Sequence, residues 1–213
     1  MVFDTAQYTP KSWMNRNRVL HPTLGWQYLS MPLVNSSIHI KIKNAVLKNR
    51  MEGAQSMSRK LEHYRKHAPF FRQCMNVFQS AFNLAKDDSL VSLNVACLKS
   101  VCNYLDIQFD YRLASELKLD LPTTLGPGQW APNIARLLEA ESYVNPIGGK
   151  EIFECSNFSE FEIALSFLEH DELVHECNGY TFEPSLSIID SMMWMPAKEL
   201  SEAIHTSYQL VAG

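Results

Sequence analysis

The spacing of apolar residues changes in the first half of the chain, and that change limits the possible folds more than any other feature. In "SIHIKIK", Ile38, Ile40 and Ile42 alternate with His39, Lys41 and Lys43. A period of two predicts a half-buried strand. From about Met57 the period is helical: Leu61, Tyr64 and Ala68 recur on one face until Pro69 interrupts the run. A second helix is expected from Phe70 to about Leu84. Asp88-Ser89 then caps a longer helix that buries Leu90, Leu93, Ala96, Leu98, Val101 and Leu105.

Strand signals flank this helical middle section. "MVFDTAQY" reads as a strand running into a loop. "NRNRVL" and "WQYLSMPLV" flank "HPTLG", whose Pro22 and Gly25 favour a turn, so a β-hairpin is expected. Further on, "DIQFDYRLAS" looks like a strand with its exit, and "NIARLLEAE" like a helix. "SYVNPIGG" looks like a strand ending at a glycine pair, and "EFEIALSFLE" like a strand with some helical character. Pro184-Ser185 opens a helix over "LSIIDSMMW", and "AKELSEAIHTSYQL" forms the last helix. Strands alternating with helices predict an α/β fold. The sheet is expected to be mixed and largely parallel, with flanking helices, an N-terminal β-hairpin and a helical middle. With 213 residues and 46% hydrophobic residues, the chain reads as a single domain over 1–213 with its own core.

Charge is unevenly placed. Residues 1–66 carry eleven Lys and Arg against three acids, +8, while the whole chain is −4. A basic N-terminal part on an acidic body predicts a site for an anionic small molecule. Nucleic acid is not the expected partner: the chain is acidic overall, with no aromatic RNA-binding motif or basic helix. No apolar run is long enough to span a membrane, so membrane insertion is not expected. Five cysteines (74, 97, 102, 155 and 177) without C-x-x-C spacing read as reduced, mostly buried thiols of a cytoplasmic protein.

Three stretches carry candidate chemistry. In "KSWMNRNRV", asparagines offer donors and acceptors, and the arginine fork fits carboxylate or phosphate. In extended structure Asn15 and Asn17 share one face, and Arg16 and Arg18 the other. Trp13 and Trp26 are expected to cover the hairpin, with Trp13 beside the ligand pocket. In "NPIGGKEIF", Gly148, Gly149 and Lys150 follow a strand, where backbone N–H groups can form an anion nest. The stretch matches neither nucleotide-binding glycine motif. In "SLSIIDSMMW", Ser187 and Asp190 lie one turn apart on an otherwise apolar helix. A buried carboxylate requires a cation or several donors. Arg16 or Arg18 can supply the cation; alternatively Ser187 and Asp190 brace a loop. "HDELVHEC" places His170 and His175 five apart, missing the i, i+4 metal spacing, and reads as polar surface with no metal site. His63 and His67 read as a half-exposed helix face.

"AQYTPKSWMNRNRV", "GWQYLSMPL", "YRKHAPFF", "YVNPIGGKEIF", "FEPSLSIIDSMMW" and "AKELSEAIHTSYQLV" together resemble the WbqC-like protein family over nearly the whole chain. Members typically belong to O-antigen and other surface-polysaccharide gene sets. The resemblance implies a place in surface-polysaccharide biosynthesis rather than a mechanism. Transfer of glycine or another acyl group to a sugar or sugar nucleotide is the activity proposed for such members, and a transferase is the expectation. Its alternative is a non-catalytic ligand-binding or scaffold protein of the same pathway. A nucleotide sugar or activated acyl donor is the implied partner. Gln7, Lys11, Trp13, Asn15, Arg16, Gly148, Gly149, Ser187 and Asp190 match recurrent polar positions of the family. Asp190 is the candidate base, and Gln7, Lys11, Asn15, Arg16, Arg18, Gly148, Gly149, Lys150 and Ser187 are the candidate ligand-binding residues. Asn15, Arg16, the glycine pair, Ser187 and Asp190 are expected to converge on one cleft. Family members usually begin with a further strand, a His-Gln-Pro motif and a helix, so this chain is expected to be a short member lacking them.

Overall fold

A computed structural model describes residues 1–122 and 124–213. The chain forms two compact units. The first comprises residues 1–115 and 172–204, and the second residues 116–171 and 205–213.

The first unit begins with an irregular segment, then the expected hairpin. Strand β1 (Arg16–Leu20) pairs antiparallel with β2 (Trp26–Ser30), Arg18 opposite Tyr28 and Leu20 opposite Trp26. Gly25, at φ +70°, makes the tight return that an L side chain resists. Three helices follow. α1 (Arg50–Leu61) starts at Asn49, whose side chain accepts from the Glu52 N–H. That cap lets α1 start earlier than its apolar period indicates. α2 (Phe71–Leu84) buries Phe71, Cys74, Phe78, Ala81 and Phe82 on one face. α3 (Leu90–Tyr104) starts at Ser89, whose Oγ accepts from the Ser92 N–H at 3.0 Å. Leu90, Leu93 and Ala96 are buried as expected, whereas Leu98 is exposed.

In the second unit, α4 (Trp130–Leu137) precedes β3 (Ser142–Pro146), α5 (Cys155–Ser159) and β4 (Ala164–His170). The chain then supplies α6 (Ile188–Trp194) to the first unit, α7 (Ala197–Thr206), and β5 (Tyr208–Ala212) to the second. β4 is the central strand, parallel to β3 and antiparallel to β5. Ala135, Phe158 and Ile163 form this unit's core, flanked by the rings of Tyr143 and Phe153.

Helices and strands are mixed as the α/β expectation requires, but the sheet is not largely parallel: among the described residues one strand pair is parallel and two are antiparallel. "MVFDTAQY" makes only isolated bridges at Val2 and Gln7. The carboxylate of Asp4, buried between them, bonds the backbone N–H and hydroxyl of Ser115, which pins the segment in an irregular path. "SIHIKIK" is not a strand. Ile38 is exposed, and Ile42–Asn44 turn through a short 3-10 helix; its alternation had no sheet to face. "DIQFDY" is irregular, and "YQLVA" is a strand rather than the end of a helix. All five cysteines are free thiols, but only Cys74 and Cys177 are buried. Among the described residues no helix is long and apolar enough to cross a membrane.

Candidate functional site

The stretch "NRNR" is built into the hairpin by aromatic rings. Arg16 lies over the Tyr28 ring at 4.0 Å and donates to the Lys11 carbonyl. Arg18 sits between Trp13 and Trp26, at 5.2 and 5.1 Å, and donates to the Ser185 carbonyl at 2.9 Å. Cross-strand geometry explains this: Leu20, Arg18 and Arg16 share a face with Trp26 and Tyr28. The buried Nε atoms of both arginines have no hydrogen-bond partner among the described residues. Asn15, just before β1, accepts from the Tyr8 hydroxyl and donates to the Met31 carbonyl, both at 2.9 Å. It clamps the open end of the hairpin. Lys11 and Gln7 are exposed, Lys11 at φ 60° and Gln7 donating to the Ile38 carbonyl.

Behind this polar stretch lies a pocket of about 390 Å³. Its deep wall is apolar: Cys74, Phe78, Phe82, Leu90, Leu93 and Met192. Its rim carries Trp13, Asn15, Arg16, Asn17, Asn94 and Ser187. α2 and α3 supply the wall because their apolar faces turn inward, and the first turn of α6 closes one side. Trp13 therefore does stand beside a pocket, although it is 59% exposed. Asn94 is held at the rim by donating to the Met14 carbonyl at 2.9 Å. The hydroxyl of Ser100, also lining the pocket, is buried and has no hydrogen-bond partner among the described residues. Burial pushes the Cys74 thiol up to about 12 and the Cys97 thiol up to about 11. Neither pocket thiol supplies appreciable thiolate at neutral pH.

Asp190 is on a different side of α6. Ser187 is the helix N-cap, its Oγ accepting from the Ile189 N–H, while its own N–H donates to the Arg18 carbonyl at 2.8 Å. The carboxylate of Asp190, 1% exposed, accepts from the Tyr64 hydroxyl and lies 3.3 Å from His175 Nε2. The Tyr64 hydroxyl in turn accepts from the Leu20 N–H at 2.8 Å, tying helix, hairpin and carboxylate together. Burial, then the negative charge of Asp190, raises the Tyr64 pKa far above its usual value and keeps the phenol protonated. Among the described residues no ion pair joins Asp190 to Arg16 or Arg18. The Tyr64 hydroxyl supplies a donor instead, and His175 stands beside the other carboxylate oxygen. His175 was read as polar surface, but its side chain is only 7% exposed. The segment carrying it is extended and turns alternate residues inward, so His175 and Cys177 go in together. That i, i+2 spacing, one turn from no other signal, is the trace the sequence held. Tyr64 was legible only as a core residue. His175, Cys177 and Asp190 place a ring nitrogen, a thiol and a carboxylate oxygen within 4.8 Å of one another, a set able to hold a metal ion.

Asn15, Arg16 and Ser187 thus meet at one pocket. Gly148, Gly149 and Lys150 belong to the second unit. Both glycines lie in a 3-10 helix (Ile147–Ile152), and neither adopts positive φ. A Cβ at Gly149 would collide with the Asn145 amide, while Gly148 faces open space. Lys150 is exposed, its ammonium 5.8 Å from the Phe167 ring centroid.

The chain is 26% identical over 199 residues to the uncharacterized protein Rv1507c of Mycobacterium tuberculosis (strain ATCC 25618 / H37Rv), covering 89% of this chain and 80% of that protein. No solved structure matches significantly. The sequence model of one family matches residues 1–202, nearly the whole length over which pocket, hairpin and Asp190 network are built, and the chain belongs to the WbqC-like protein family.

Proposed function

We propose that this chain is a transferase of surface-polysaccharide biosynthesis that moves an acyl group from an activated, anionic donor to a sugar or sugar nucleotide. Family membership suggests the pathway. The observation that carries the reaction class is the pocket: an apolar interior behind a rim of Asn15, Arg16, Asn17, Asn94 and Ser187. Such a division suits a ligand with a hydrocarbon part and a polar or charged part. The guanidinium of Arg16 serves the anion, and the rim amides orient the carbonyl or sugar hydroxyls. The inert thiols of Cys74 and Cys97 favour direct attack by the acceptor over a cysteine-bound intermediate. Rate then comes from placement and charge stabilisation. Asp190 anchors the turn of α6 that presents Ser187, and acts as base only for an acceptor approaching from the Tyr64–His175 side.

Thermal shift of the purified chain tests the reading with two probe classes, acyl thioesters on a phosphorylated carrier and nucleotide sugars. A donor at a hundredfold excess over Kd stabilises by about 2.7 kcal/mol, or about 5–10 °C in Tm. The expected result is such a shift with an acyl donor, lost in Arg16→Ala. No shift with any donor of either class would count against a transferase. The second reading, a non-catalytic ligand-binding or scaffold protein, is favoured by the absence of a nucleophile paired with a base among the residues lining the pocket. It predicts ligand stabilisation without turnover when donor and acceptor are supplied together.

A further inference from the structure

The polar cluster behind α6 is built in a way that the pocket does not require. His175 Nδ1 lies 3.2 Å from the Leu173 carbonyl. A carbonyl only accepts, so Nδ1 carries the ring proton. In the neutral imidazole, Nε2 is then a bare lone pair, and it faces the Asp190 carboxylate at 3.3 Å. Two lone pairs do not attract. A second proton on the ring, a proton on the carboxylate or a cation between them resolves the contact. Cys177 decides among the three. The residue is 8% exposed, and its thiol lies within 4.8 Å of both other donor atoms and 3.8 Å from the His175 carbonyl. A proton between His175 and Asp190 engages two of the three converging donor atoms and leaves Cys177 as a core thiol only. A metal ion uses all three donors.

We propose that His175 Nε2, Cys177 Sγ and an Asp190 carboxylate oxygen bind a divalent metal ion, zinc by the chemistry of the set. Imidazole, thiolate and carboxylate together suit zinc, and three protein ligands leave a fourth position for water or another ligand. Two donors at about 2.0–2.1 Å from a tetrahedral ion are about 3.3–3.4 Å apart. The nitrogen–oxygen separation here is 3.3 Å, long for a hydrogen bond but fitting one edge of such a site. The thiol sulfur, within 4.8 Å of both, must move inward to complete the other two edges. The outer contacts match those of a metal site: the ligating histidine donates its other N–H to a backbone carbonyl, and the ligating carboxylate accepts from the Tyr64 hydroxyl. Binding releases the thiol proton to solvent and leaves a thiolate on the metal. The site lies outside the residues that line the pocket, so it stands independently of the transferase reading.

The test is made on the full chain, purified without a metal-chelating tag. Elemental analysis is expected to give about one zinc per chain. Replacement by Co(II) should give thiolate-to-metal charge-transfer absorption and the strong visible bands of a four-coordinate ion. Cys177→Ser should lose the charge transfer and His175→Ala the bound metal, while Tyr64→Phe should weaken binding by about 10–100-fold. The wild-type spectrum is read without any variant, so a variant that fails to fold does not spare the proposal. Folded wild-type chain that takes up neither zinc nor Co(II) overturns it. So does a bound metal whose charge transfer survives Cys177→Ser in folded protein, because the thiolate would then come from elsewhere.

Discussion

His63 stacks on Tyr64 with ring centroids 4.3 Å apart, and its Nδ1 lies 2.9 Å from the Tyr180 hydroxyl. Burial holds its pKa below the usual histidine value, outweighing the attraction of the Asp190 charge. The unfolded chain therefore binds a proton at His63 more readily than the folded one. Stability from this residue is fully present above about pH 6.5, the unfolded value, and is lost as pH falls through the lower folded value. Urea unfolding from pH 7.5 to 5 should show that loss, and His63→Gln should flatten it. At the same scale, the clearest gap between sequence and structure concerns Asp190. Its cost as a buried carboxylate was legible, and so was its need for a partner. The identity of the partner was not, because Tyr64 and Asp190 are 126 residues apart and a tyrosine at helical spacing reads as core. The arginines expected there are occupied by Tyr28, Trp13 and Trp26, through cross-strand geometry that exists only once the hairpin forms.

The hairpin, α2 and α3 were legible because local signals and tertiary packing agree: turn residues at Pro22 and Gly25, a proline before α2 and a serine cap before α3. "SIHIKIK" failed for the opposite reason. Its alternation was a local signal, but the N-terminal segment it meets is irregular, so the two join only at the Gln7–Lys41 bridge and a few neighbouring backbone hydrogen bonds before Ile42–Asn44 turn into a 3-10 helix. The hairpin itself rests on Gly25, where φ is +70° and a Cβ would meet only Glu183 Oε1 at 3.9 Å. Space is available there, so the penalty of Gly25→Ala is conformational, about 1–2 kcal/mol. Urea unfolding should give that loss. Binding at the pocket should weaken alongside it if the hairpin is what holds Arg16 at the rim.

At the scale of the whole molecule, each unit is completed by a late piece of chain: the first by residues 172–204 and the second by 205–213. β5 covers one edge of β4 through the pairing of Ser166 with Ala212 to His170 with Tyr208. Removing residues 207–213 should uncover that edge and leave its backbone groups unpaired. The expected outcome is a truncated chain that aggregates on concentration, followed by light scattering, while the Tyr64–Asp190 network in the first unit persists.

The late arrival of α6 also gives this protein a schedule. At about 5–20 residues per second, the ribosome takes about 6–25 s to go from Tyr64 to Asp190, 126 residues later. Isolated helices form in microseconds, so α1, α2 and α3 stand ready long before the segment that closes over them exists. From Leu93 to Met192 is 99 residues, about 5–20 s at the same rate, and until then Phe78, Phe82 and Leu93 have no Met192 to meet. The nascent chain therefore exposes the future wall of the pocket as an open apolar face, the kind of surface that invites aggregation until α6 arrives.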